Sequence, residues 1–211
     1  DVDILLVADD LTRAQRECVT SISADIDIPD QIDTGLQVIV YSTQAAAEAE
    51  GYGAFLFQNI ERDGIVLEGE PIHVKHIDKP KLVRQELDRA MEELKAAELM
   101  FQNEMWRATV SKTYFVYLHT ARTLLGAKGV TPQSHKGVNV LFSYHLVKPK
   151  IVDQKYGTIL RNMEERRIDA DYELGVEFKC DDAETALARA KEFLAVAQEL
   201  LPSLMGESVN R

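Results

Sequence analysis

With 211 residues and 45% hydrophobic content, the chain can bury one core or two small ones. Its two cysteines cannot build a disulfide framework or a zinc site unaided, and no run approaches the roughly 18 apolar residues of a membrane span, so a cytoplasmic protein without membrane contact is expected. The formal net charge of −11 is uneven: residues 1–80 carry 16 acidic and 5 basic side chains and repel nucleic acid, whereas 81–211 carry 19 of each. Within the second part, residues 111–167 hold 10 Lys or Arg against Asp153, Glu164 and Glu165, either a face able to neutralise phosphates or a solvated surface.

Val2 to Val7 is an apolar, β-branched run of strand length. Asp9 or Asp10 can cap a helix over Leu11 to Ser23, whose Leu11, Ala14, Cys18, Val19 and Ile22 recur at helical spacing. Beyond a turn bracketed by Pro29 and Gly35, Leu36 to Tyr41 reads as a second strand. Short helices follow at Ala45 to Glu50 and Phe55 to Glu61, then a third strand at Gly64 to Leu67. Alternating strands and helices make this a small α/β unit. Asp1 and Asp3, two apart on a strand, share a face and could hold a divalent cation, or be polar residues at a strand entrance.

After a proline-bounded linker the pattern becomes wholly helical. Lys81 to Gln102 is long and amphipathic, and Trp106 onward carries Val110, Tyr114, Tyr117, Leu118, Ala121, Leu124 and Leu125 at helical spacing until Gly126 and Gly129. This is the bundle's central helix, expected antiparallel to its predecessor. The spacing predicts further helices over Gly137 to Val147, Ile151 to Ile168 and Asp182 to Leu201, the last opened by Asp181 and Glu184 as a capping box. His119, beside the apolar stripe, reads as a hydrogen-bonded core residue, and His135, in a loop beside Lys136 and Gly137, suits a phosphate or an N-cap.

Two resemblances attach to these residues. DVDILLVADDLTRAQRE, LQVIVYS and FLFQNIERDGIVLEGE resemble a minimal nucleotidyltransferase, in which a Gly-Ser turn precedes an Asp-x-Asp pair. The resemblance implies that Asp1 and Asp3 are catalytic and hold magnesium and ATP; the Gly-Ser turn would fall before Asp1, and Gln37 stands where a third carboxylate could lie.

The second half, through TYFVYLHTARTLLGAKGV, the SHKGV turn, RRIDADY and the alanine-spaced last helix, resembles the HEPN (higher eukaryotes and prokaryotes nucleotide-binding) family. Many such proteins are dimeric ribonucleases with Arg and His four to six residues apart; here Arg166 and Arg167 precede Tyr172 instead. A phenol is a poor base at neutral pH, so phosphate binding is implied more directly than cleavage. Together the resemblances imply an α+β protein with a nucleotidyltransferase-like domain at 1–78 and a HEPN bundle at 79–211. Such pairs occur as prokaryotic toxin–antitoxin systems in which the transferase adenylylates a tyrosine of the HEPN toxin. The expected nucleotide or RNA site comprises Arg166, Arg167, His135 and Lys136, with Arg167 and Tyr172 in catalytic positions and a homodimer formed through the bundle helices. The alternative is a non-catalytic nucleotide-sensing or dimerisation module.

Overall fold

The computed structural model describes residues 2–9, 11–15, 17–19, 36–74, 77–132, 134–173 and 175–206. Asp1, Asp10, His76, the turn between Pro29 and Gly35, much of the expected helix Leu11 to Ser23 and the side chain of Asp3 lie outside that description.

Strands β1 (Val2–Val7) and β2 (Leu36–Tyr41) pair in parallel, Val2 opposite Leu36 through Val7 opposite Tyr41, which puts Asp3 opposite Gln37. Among the described residues, Asp9 reaches across to the second strand's end. Its Oδ1 accepts from the Thr43 N–H at 2.8 Å, tying the end of β1 to the start of α1 (Thr43–Tyr52), and hydrogen bonding to the Thr43 side chain first and its backbone second holds the carboxyl below the usual range. Helix α2 (Phe55–Asp63) follows, and Ala46, Ala49, Ala54 and Phe57 form a small core with Leu5 and Tyr41 packed against it.

The expected third strand at Gly64 to Leu67 is absent, so the sheet has two strands among the described residues. Gly64 closes α2 instead, and Ile65 and Leu67 stand 85% and 80% exposed. An apolar run this short, without a strand beside it, has no ladder to join.

The rest is a helical bundle: α3 (Lys79–Gln102), α4 (Trp106–Ala127), α5 (His135–Phe142), a π-helical segment at Ser143–Val147, α6 (Gln154–Tyr172) and α7 (Cys180–Gly206). Asp78 caps α3 by accepting from the Lys81 N–H at 3.0 Å, with Pro80 in the first turn. Helices α3 and α4 form an antiparallel hairpin through the turn at residues 103–105, as their patterns predict.

Helix α4 is the axis, packed by α3, α6 and α7. Thr109, Thr113, Thr120 and Thr123 are buried on it, and each hydroxyl donates to a carbonyl one turn back on its own helix. The covering helices approach through alanines at seven-residue spacing: Ala90 and Ala97 on α3, and Ala183, Ala190 and Ala197 on α7, all fully buried. Phe193 of α7 joins four helices, stacking on Tyr117 at 4.8 Å and Tyr156 at 5.0 Å and meeting Phe142 edge-on at 5.7 Å. No helix of the described residues is long and apolar enough to cross a membrane.

The α5 region departs from the sequence expectation. A single helix from Gly137 to Val147 was expected, but the α-helix starts at His135 and widens into a π turn at Ser143–Val147. Gly157 of α6 packs there, where an added Cβ would meet Val147 Cγ2 at 3.2 Å. Helix α7 also starts earlier than expected, at Cys180, because Asp182 reaches back to accept from the Lys179 N–H at 3.1 Å.

Arg107, at the start of α4, closes the far end of α6. One of its terminal nitrogens donates to the carbonyls of Asp169, Ala170 and Glu173 at 3.1, 2.8 and 3.0 Å, and the other to that of Val176. A cation there satisfies the orphan carbonyls of a helix C-terminus and complements its dipole. Arg107→Ala should cost about 2 kcal/mol in chemical denaturation and speed amide exchange at residues 170–176 ahead of the rest of the bundle; unchanged exchange there would refute the clamp.

Candidate functional site

The side chains able to do chemistry gather where α4, α5 and α6 meet. Ser134 starts α5 by accepting from the Gly137 N–H at 3.0 Å, which sets His135 at the first helical position. From there His135 Nδ1 lies 2.6 Å from the Tyr114 hydroxyl of α4, the rings stacked with centroids 5.8 Å apart. One turn further along α5, Asn139 donates its amide N–H to Glu164 of α6 at 2.5 Å. Arg167 lies one turn beyond Glu164, and Arg122 of α4 completes the group by acting electrostatically on both Tyr114 and His135.

Burial, and then the charge of Glu164, push the Tyr114 phenol well above its ordinary range, so it stays protonated. His135 moves the other way. Although its residue surface is largely open, desolvation of the ring comes first in lowering its pKa, and Arg122, Arg167 and His119 add to that against the opposing charge of Glu164. The imidazole is therefore neutral at pH 7. If the Tyr114 proton is assigned to the bond they share, Nδ1 accepts and Nε2 carries an N–H.

Among the described residues, three buried side-chain atoms make no hydrogen bond: Arg122 Nε, Asn139 Oδ1 and Arg167 Nε. All three residues belong to this cluster. Arg167 Nε approaches Asp171 Oδ2 at 2.6 Å but without hydrogen-bond geometry, and its guanidinium lies over the rings of Tyr172 and Phe115, at 5.4 and 5.8 Å. Buried donors on cations without acceptors are uncommon. The neighbouring ionic groups are already matched: His119 Nδ1 meets Glu86 at 2.8 Å, in keeping with the hydrogen-bonded core role read from sequence, and Lys112 meets Glu93 at 2.8 Å.

Of the residues expected at the site, His135 and Arg167 share this cluster. Arg166 does not: it turns toward α7, pairs with Asp182 at 2.7 Å and faces Phe178, which Arg107 also covers. Neighbours on a helix point about 100° apart, so only one of the two arginines can face α4. Lys136 is exposed on the first turn of α5, and Tyr172 is 67% exposed beside Arg167. Sequence reasoning missed Arg122, Tyr114 as a hydrogen-bonding group, Asn139 and Glu164. The available signal was an arginine in the most apolar part of α4, eight residues after Tyr114 and thus near the same face.

Beside the cluster runs an open groove of about 920 Å³ between the α3–α4 turn and the end of α6. Met100, Met105, Trp106 and Tyr172 are among its walls, with Lys112 and Asp171 as polar members.

The bundle is thus an all-α domain with a half-buried cationic cleft between three of its helices. The chain belongs to the HEPN family, whose HEPN domain model matches residues 83–200. It is 28% identical over 129 residues, 59% of this chain and 96% of the relative, to a Methanocaldococcus jannaschii protein named "Putative toxin". It is also 30% identical over 127 residues, 60% of this chain and 96% of the relative, to a UPF0332 protein of Thermotoga maritima. A UPF0332 protein of Gloeobacter violaceus is 30% identical over 117 residues, 54% of this chain and 92% of the relative. The family match begins at Val83, and the α/β part lies before it.

The electrostatics of the cluster can be read from one proton. In a nuclear magnetic resonance titration, His135 should titrate below the ordinary 6.5, and Arg122→Gln should move it upward by removing the foremost like charge. A His135 that titrates normally in both proteins would contradict the placement of Arg122.

Proposed function

We propose that the HEPN domain is a toxin-like module that binds RNA or nucleotide by its phosphate, held between Arg122, Arg167 and the Nε2–H of His135. The carrying observation is the buried Arg122 Nε without an acceptor, in one cluster with a neutral His135 and with Arg167, whose Nε meets only Asp171 and without hydrogen-bond geometry. A phosphate supplies several acceptor oxygens and a charge, and a guanidinium is the side chain best shaped to meet them. The local excess of cations over residues 111–167 draws such a ligand in. The relatives named as toxins support the same reading.

The same geometry favours binding over cleavage. Phosphodiester cleavage needs a proton acceptor as well as a donor. His135 has its Nδ1 engaged by Tyr114 and is left with one N–H, and Tyr172 offers a phenol beside Arg167 rather than a base. A protonated His135 gains a charge, so affinity should rise as the pH falls through its lowered pKa. A homodimer through the bundle helices would set two such clefts in one particle.

The replacement of Arg122 and Arg167 by alanine together should weaken binding of a short RNA at least tenfold in fluorescence anisotropy, with the salt dependence of affinity reduced. Arg166→Ala should change it little, because Arg166 is committed to Asp182. Equal affinity in the double variant would remove the cleft from consideration, and RNA cleavage lost in His135→Ala would replace the binding reading by a ribonuclease.

For residues 1–78 the proposal is magnesium-dependent ATP binding at Asp1 and Asp3, supported by the sequence resemblance and by the parallel pair that carries Asp3. Adenylate transfer belongs to the same reading: the Tyr172 hydroxyl oxygen would bond the α-phosphorus of ATP as pyrophosphate leaves and the phenol proton is lost to solvent. If calorimetry finds ATP affinity unaltered in the Asp1→Ala, Asp3→Ala variant, the metal assignment fails.

A further inference from the structure

The groove beside the cleft is continuous with it through shared side chains. Asp171 and Tyr172 line the groove and also contact the Arg167 guanidinium, at 2.6 Å and at 5.4 Å to the ring. On the other wall Lys112 lies 5.4 Å from the Phe115 ring, and Arg167 lies 5.8 Å from that ring. A ligand whose anion meets Arg167 therefore has one apolar, partly aromatic hollow within immediate reach.

The hollow's chemistry suits a flat, polar-edged group. Met100, Met105, Trp106 and Tyr172 offer thioether and aromatic surface, while Ser111 and Lys112 supply donors for a ring edge. At about 920 Å³ it has room for a nucleoside. Tyr172 is 67% exposed and Met105 is 52% exposed, so both are free to cover an incoming ring. Arg107, although it lines the groove, is committed to four carbonyls of the α6 end and forms a fixed floor.

We propose that this groove is a base-binding subsite: it receives the nucleoside attached to the phosphate held at Arg122 and Arg167, with Tyr172 and Trp106 as the stacking surfaces. This rests on the phosphate reading of the cleft and extends it to the part of the ligand that carries sequence. Stacking accepts any base, because every base has a π-face, so the groove contributes affinity before it contributes discrimination.

Trp106 is the chain's one tryptophan, so its fluorescence reports this groove alone. The full chain is titrated with adenosine monophosphate, ribose 5-phosphate and inorganic phosphate, with calorimetry run in parallel. Adenosine monophosphate should quench Trp106 and bind about tenfold more tightly than ribose 5-phosphate, which should bind without quenching. Tyr172→Ala should erase the preference for adenosine monophosphate over ribose 5-phosphate, whereas the Arg122→Ala, Arg167→Ala variant should lose both ligands.

Equal affinities with no change in fluorescence would overturn the subsite and leave the phosphate cleft standing. Loss of preference without loss of phosphate affinity in the arginine variant would overturn the cleft, and with it this placement of the nucleoside. Fluorescence that follows protein concentration through a monomer–dimer transition seen in sedimentation, and ignores adenosine monophosphate, would make the groove a seam between copies and overturn the proposal.

Discussion

The structure depends on a helix that is covered along its length. Helix α4 has fourteen buried residues and neighbours on several sides, so any polar group it carries must find a partner inside the protein or wait for one. Its threonines solve this locally by turning back onto their own backbone. His119 solves it across the hairpin with Glu86, and Tyr114 through His135. Arg122 Nε has no such solution. A buried donor left unmade costs about 1–3 kcal/mol, and the cleft proposed here would recover that cost on meeting an anion.

The second constraint is the far end of α6. Four carbonyls converge on Arg107, and Phe178 is covered by Arg107 and Arg166 together. That arrangement commits Arg166 to structure and fixes the rotation of α6. The rotation in turn aims Arg167 and Glu164 at α4 and leaves Tyr172 at the groove. Helical geometry alone thus turns adjacent arginines toward different neighbours, Arg166 toward α7 and Arg167 toward α4.

The helical half was legible because apolar periodicity dominates it: the boundaries of α3 and α4 follow from patterns, caps and glycines in the chain. The α/β half was less so. Its first two strands are strong apolar runs, but Gly64 to Leu67 has strand-like residues and no partner strand, a fact that lies in tertiary structure. In the candidate cleft, His135 was singled out from its loop position and Arg167 from its motif, whereas the turn of Arg166 toward Asp182 was not legible, because the direction of a side chain around a helix depends on what packs beside it. Arg122 was overlooked since a single charge in an apolar helix gives no motif. Asn139 and Glu164 matter only through each other, and that contact spans 25 positions in the chain.

The π turn at Ser143–Val147 holds one more residue than an α-helical turn would at that place. Its register is therefore part of the site's design. Deleting a single residue there would restore regular winding and rotate everything before it by about 100°. His135 and Asn139 would swing away from Tyr114 and Glu164, and Phe142 would leave its edge-on contact with Phe193. The wider turn thus sets the phase of α5. A chain one residue shorter over these five positions would therefore have to repack α5 against the bundle before it could bring the same side chains together.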